Sequence, residues 1–329
     1  MHGGVWITSY ARINLLKNVI KLDTNTIYCD TDSLKVFNNY DKTVIENCWY
    51  YIALEAVLNI ANLEGSNASL SEIEFLQNRM TLIKENFDNL YWDNSKNAYY
   101  KNTANGKADD RANALAIYAG LAEECRYEGI LNVLVNTYNA SPYMEKYVLE
   151  AMYMINRDEE AIARTLNRFT PFTLDDYPTL SEIWLDQALF GGDETKNHAW
   201  TGAPLSLLYM YNAGITSTSP AFKTIQIKPQ LGSLNEVNAQ VERESGKILV
   251  NVKKTNNGYS LNVTIPQDAD YAVVYVPRYS NNAVIELNGT TIFKNNLSSN
   301  LPQGVSYLEE DSYYVAFKVT SGTYSFISK

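Results

Sequence analysis

Between Asp176 and Ile215 the chain gathers a carboxylate, Glu182, two tryptophans, Trp184 and Trp200, and a histidine, His198, around a Gly-Gly pair flanked by Asp186, Asp193 and Glu194. Cleavage of a glycosidic bond uses carboxylates that donate a proton or activate water around an oxocarbenium-like transition state. A sugar ring is in turn held by flat aromatic faces and a few polar groups. In such a site Glu182 is the candidate catalytic carboxylate, Trp184, His198 and Trp200 are candidate substrate-binding residues, and Asp186, Asp193 and Glu194 are runner-up acids. Spacing alone fixes no mechanism, and the same residues suit a helical hairpin with core aromatics and solvated acids.

The elements that must position these residues are helical upstream and stranded downstream. From Asn47, Trp49, Ile52, Ala53, Ala56, Val57 and Ile60 recur at helical spacing before Gly65, and Ser69 with Glu72 reads as a capping box opening a second helix. That helix carries Ile73, Leu76, Met80, Ile83, Phe87 and Leu90 on one face. WDNSKNAYYK, from Trp92, reads as a turn-rich loop with short strand character. Further helices are predicted over 110–123, 127–139, 144–156 and 159–169, joined by short connections in the manner of αα-hairpins. Asp109, Asp110 and Arg111 fall at a helix start, where acids complement the positive dipole end. Beyond Pro220 the period becomes two: KILVNVK, YSLNVTI, YAVVYV, AVIEL, YYVAFKV and TYSFIS read as strands, with Asn257-Gly258 and Asn288-Gly289 as hairpin turns.

Three stretches, YPTLSEIW, GGDETKNHAWTGAPLSLLYMYNAGI and PAFKTIQIKPQLGSL, resemble the passage from the helical domain of bacterial α-L-rhamnosidases into their C-terminal β-domain. NCWYYIALEAVLNIANLEG, NLYWDNSKNAYY and ADDRANALAIYAGL are similar to that family's toroid helices and loops, so the likeness runs over about 46–329. The resemblance implies an α+β multidomain chain: a partial (α/α)6 toroid over 46–215, followed by an antiparallel β-sandwich over 216–329. A complete six-hairpin toroid has twelve helices and about seven are legible here, so the N-terminal half of the barrel is expected to be missing. The resemblance further implies that Glu182 is the general base of an inverting hydrolysis of terminal α-L-rhamnosides. The family's general acid belongs to an arginine- and acid-rich motif well upstream that this sequence lacks, so weak or no activity is expected, with a non-catalytic carbohydrate-binding remnant as the alternative. Where relatives often carry an aromatic before the glutamate, this chain has Ser181, which puts the rim of the pocket and the substrate in question. The DDRANA segment lies near the barrel mouth in the family, making a ligand contact the minority reading for Asp109 to Arg111.

Residues 1–45 are of another kind. GVWITSYARINLLKNVIKLDTNTIYCDTDSLKVF resembles the palm region of family B DNA polymerases, in which the two aspartates matching Asp30 and Asp32 hold divalent ions in a two-metal clamp. No partner motif, nucleotide-binding lysine helix or thumb accompanies it, and a fusion joined within 41–48 is the favoured reading over a polymerase fragment.

Composition sets the outer bounds. The 329 residues carry a net charge of -10 and a pI near 4.9, which disfavours nucleic acid as a partner because phosphate binding needs clustered cations. Rhamnose-containing glycosides are the expected partners, with no cofactor and no resident metal. Cys29, Cys48 and Cys125 form neither a disulfide framework nor a zinc pattern. Free thiols, the lack of a leader and the lack of an apolar run of about 18 residues lead to the expectation of a cytoplasmic chain away from membranes.

Overall fold

The computed structural model describes residues 41–63, 65–103, 105–176, 178–185, 195–295 and 297–329. The polymerase-like segment with Asp30 and Asp32, and the acids Asp186, Asp193 and Glu194, lie outside the described residues. Seven α-helices are present among those described: α1 (Lys42–Ala61), α2 (Leu70–Tyr91), α3 (Asp110–Tyr118), α4 (Tyr127–Asn136), α5 (Pro142–Met154), α6 (Asp158–Leu174) and α7 (Ala203–Leu207). They form no closed barrel. None is long and apolar enough to cross a membrane.

Local chemistry accounts for most helix boundaries. Ser69 caps α2 and Glu72 returns a hydrogen bond to the Ser69 amide at 2.8 Å, completing the predicted capping box. Helix α5 starts earlier than predicted because Ser141 caps it and Pro142 sits where a missing amide costs nothing. Helix α3 ends at Tyr118, short of the predicted 123, because Gly120 adopts a left-handed φ of 65° and the Leu121 amide turns back to the Ala116 carbonyl. The buried face of α1 is also not the predicted one. Val44, Cys48, Tyr51 and Leu54 are buried, whereas Ala53, Ala56 and Ile60 face solvent. The helix is apolar nearly all round, so periodicity does not choose its inner side. Asp41 ties it to the rest: its carboxylate accepts from the amides of Lys101 and Asn102, and its own amide donates to Asp109 Oδ2.

A short hairpin, β1 (Trp92–Asp93) and β2 (Ala98–Tyr99), stands where the loop with strand character was expected. The remaining strands form the β-domain: β3 (Ile215–Ser217), β4 (Thr224–Ile227), β5 (Glu236–Arg243), β6 (Gly246–Thr255), β7 (Gly258–Ile265), β8 (Tyr271–Pro277), β9 (Ile285–Leu287), β10 (Thr290–Lys294), β11 (Leu297–Ser298), β12 (Val305–Glu310), β13 (Tyr314–Val319) and β14 (Gly322–Ser328). Seven pair as β11-β10-β9-β14-β7-β6-β5 and five as β12-β13-β8-β4-β3. Ile248, Val250, Val263, Val274, Phe317 and Phe326 are among the side chains that fill the space between the two sheets. All pairings are antiparallel except β4 with β8, which is parallel and departs from the purely antiparallel expectation.

Asn288 and Gly289 take φ of 49° and 84°, as a tight hairpin turn requires. Gly258 has a different job from the one its NG signal suggests. It lies in β7 with φ 148°, and a Cβ there would overlap the Ser328 carbonyl oxygen. Gly258→Ala is therefore expected to cost about 1–3 kcal/mol, read as a lowered urea midpoint, whereas Gly65→Ala, with open space around it, should lose less.

At the junction of the two domains three buried side chains close a ring. Tyr153 Oη donates to Asn212 Oδ1 at 2.9 Å, Asn212 Nδ2 donates to the Gln230 carbonyl at 2.8 Å, and Gln230 Nε2 donates to the Tyr153 carbonyl at 3.2 Å.

Candidate active site

Two stretches, 180–182 and 195–201, meet edge to edge. The Glu182 amide donates to the Thr195 carbonyl at 2.9 Å and the His198 amide to the Leu180 carbonyl at 2.8 Å. Thr201 Oγ1 donates to the Ser181 carbonyl at 2.7 Å, and Trp200 Nε1 reaches the Glu182 carbonyl at 3.3 Å. This pairing, and not a helical hairpin, is what brings the candidate residues together. Ser181 is buried, so it is part of this seam and not of an open rim.

Three of the four expected residues converge. The Glu182 side chain is one-third exposed at 33%, and its Oε2 accepts from the Thr195 amide at 3.2 Å. His198 Nδ1 lies 3.9 Å from the same oxygen, close enough for charge attraction when protonated but too far for a hydrogen bond. The rings of His198 and Trp200 are 4.0 Å apart between centroids. Trp200 is 42% exposed, and Tyr143, at the start of α5 and 43% exposed, lies 5.6 Å from it. From Tyr143 the aromatic surface continues through Tyr147 to Trp49 and Tyr118, each half-buried and in edge contact. Tyr143 is the residue that sequence reasoning missed. SPYMEKY reads as a helix start, and nothing in it points to Trp200, 57 positions on.

Trp184 is placed otherwise. Only 3% exposed, it stacks on Phe172 at 5.6 Å, meets Phe169 edge-on at 5.2 Å, and has the Arg168 guanidinium 3.9 Å from its ring centroid. With its ring so enclosed, it cannot serve as the expected sugar-stacking surface. It is instead an anchor: its Nε1 donates to the Ala140 carbonyl at 2.7 Å, shared with Arg168 Nη2 at 2.7 Å.

Behind that anchor lies a buried ionic cluster. Arg164 Nε donates to Glu145 Oε1 at 2.5 Å and its Nη2 to Asp110 Oδ2 at 2.8 Å, while Nη1 binds the carbonyls of Leu134 and Thr137. Asp110 also accepts from the Ala140 amide at 3.3 Å. Asp109 caps α3 and pairs with Arg111. Both aspartates are thus buried structural groups, in line with the helix-start reading. Burial pushes the Asp110 carboxyl up to about 6 against the pull of Arg164, and Asp109 and Glu145 add to the rise. A carboxyl raised on folding stabilises fully below its unfolded pKa, and that contribution is lost as pH climbs through the folded value. The stability margin of the wild type over Asp110→Asn should therefore be larger at pH 4 than at pH 7. Urea unfolding of both proteins at the two pH values checks the sign, and a margin that grows with pH would mean that Arg164 outweighs desolvation.

Among known proteins, residues 214–290 match the family described as the bacterial alpha-L-rhamnosidase C-terminal domain. No protein of curated function matches the chain. Solved structures similar to it include an alpha-L-rhamnosidase from Dictyoglumus thermophilum (TM-score 0.72, 19% identity, 94% of this chain and 34% of that one). Another is the Streptomyces avermitilis alpha-L-rhamnosidase complexed with L-rhamnose (TM-score 0.68, 14% identity, 95% and 30%). A third is a GH78 family rhamnosidase of Bacillus sp. GL1 (TM-score 0.57, 21% identity, 70% and 25%). The chain thus spans about a third or less of the length of these relatives.

Proposed function

We propose that this chain, similar in fold to alpha-L-rhamnosidases and matching over residues 214–290 the family of their bacterial C-terminal domain, carries a site that binds a terminal α-L-rhamnosyl unit and supplies the general base of inverting glycoside hydrolysis. The observation that carries this reading is the convergence of Glu182, His198 and Trp200 on an open aromatic surface extended by Tyr143.

Each group has a part. Trp200 and Tyr143 offer flat faces to the C–H side of a pyranose ring. His198 donates to a ring hydroxyl. Glu182 takes the proton of a water that attacks the anomeric carbon from the face opposite the leaving oxygen, which inverts the centre. Departure of that oxygen needs a proton from a second carboxyl on the other side, about 6.5–9.5 Å away, leaving room for the water. The arginine- and acid-rich motif that would carry that acid is not found in this sequence, so binding is expected to exceed turnover. A sugar-binding site without turnover is the second reading, favoured by the engagement of Glu182 Oε2 with the Thr195 amide.

Titration of the chain with L-rhamnose, followed by tryptophan fluorescence, and release of nitrophenol from nitrophenyl α-L-rhamnoside test the proposal together. Saturable binding lost in Trp200→Ala, with slow turnover, is the expected result. Binding with no turnover selects the second reading, and the absence of both overturns the proposal.

A further inference from the structure

A cleft of about 330 Å³ lies where the N-terminus of α6 meets the β-domain. We infer that it is a second carbohydrate site, one that takes a neutral, polyhydroxylated ligand such as a glycosyl unit. Its volume falls within the range of small-molecule sites, roughly 300–1,000 Å³. It is separate from the candidate active site. Ten residues of α6, about 15 Å of helical rise, separate Asp158 at the cleft from Arg168, which carries Trp184.

The charge balance selects the ligand class. Arg157, Lys254 and Arg278 line the cleft together with Asp158, Glu159 and Glu160, three cations against three anions. Several are already held by the protein. Asp158 accepts from the Gly232 amide at 2.5 Å, Lys254 donates to the Gly232 carbonyl, and Arg278 donates to the Asp311 carbonyl at 2.8 Å. An anion or a cation would meet as many like charges as opposite ones. Hydroxyl groups, which both donate and accept, suit such a wall better than either.

Aromatic surface points to a sugar: Tyr313, 52% exposed, and Tyr259, half-buried, add ring faces to the same lining.

The test uses the full chain carrying Trp200→Ala, which silences the first site, and titrates it with methyl α-L-rhamnoside, methyl β-D-glucoside and methyl β-D-galactoside by saturation-transfer NMR. At least one glycoside is expected to bind saturably, and adding Tyr313→Ala should weaken it about tenfold or more. Tyr313→Phe, which keeps the ring, should restore it. Near-UV circular dichroism verifies that the variants are folded. Tyr313→Ala in an otherwise wild-type chain should leave rhamnose binding at Trp200 unchanged, so failure here is distinguishable from failure of the proposed function. No binding of any of the three, binding indifferent to Tyr313→Ala, or preferential binding of sulfate or calcium at the cleft would each overturn the inference.

Discussion

Glutamine in place of Glu182 is expected to reduce whatever hydrolysis of nitrophenyl α-L-rhamnoside the chain supports by about 10²–10⁴-fold, the range over which a positioned acid or base contributes. The substitution keeps the side-chain shape and the acceptor for the Thr195 amide, so the pairing of 180–182 with 195–201 survives. What goes is the capacity to take a proton from water. The loss should therefore fall on kcat, with KM and L-rhamnose binding nearly unchanged, the pattern of an interaction made in the transition state and not in the ground state. A kcat equal to that of the wild type would remove Glu182 from the mechanism and leave the aromatic surface as a binding site.

The second large effect is expected at Arg164. Its guanidinium and both partner carboxylates are almost fully buried, at 2% for Arg164 and 0% for Asp110 and Glu145. Arg164→Met would strip Asp110 of its cation and leave Glu145 only Arg168, at 3.7 Å, away from water, a change that costs about 3–5 kcal/mol. That is a large part of the stability of an ordinary domain, roughly 5–15 kcal/mol. Urea unfolding should show it as a markedly lowered midpoint. Adding Asp110→Asn and Glu145→Gln to the same variant should restore part of it, because the penalty lies in the orphaned charges and not in the missing pair. Full stability of the single variant would show that the cluster is solvated. A milder consequence reaches the site: the segment around Ala140, fastened by Asp110 and Arg168, also holds Trp184 and leads into Tyr143.

The helical and stranded halves of the fold were legible in sequence because period and caps agree locally: Ser69 with Glu72, Asn288 with Gly289, and the apolar alternation of β6, β7 and β8. Strand β5 escaped notice because its residues alternate only between exposed and half-buried, leaving no apolar run to detect. At the site, Glu182, His198 and Trp200 could be picked out by type within one stretch. Trp184, of the same type and only two residues from Glu182, could not be separated from them. Its slot is made by Phe169, Phe172 and Arg168 on a helix, and a sequence does not show which tryptophan a distant helix will cover. Tyr143 was hidden for the same reason, since its partner is fixed only by the tertiary fold.

The closed ring of Tyr153, Asn212 and Gln230 bears on how the chain melts. Each of its members donates to the next and is buried, so separating the helices from the sheets exposes or orphans three donors and three acceptors at once. Partial opening along that seam therefore gains little and loses all three bonds, which couples the two halves into one cooperative transition. Calorimetry should record a single endotherm, and a β-domain cut free ahead of Ile215 should melt well below it.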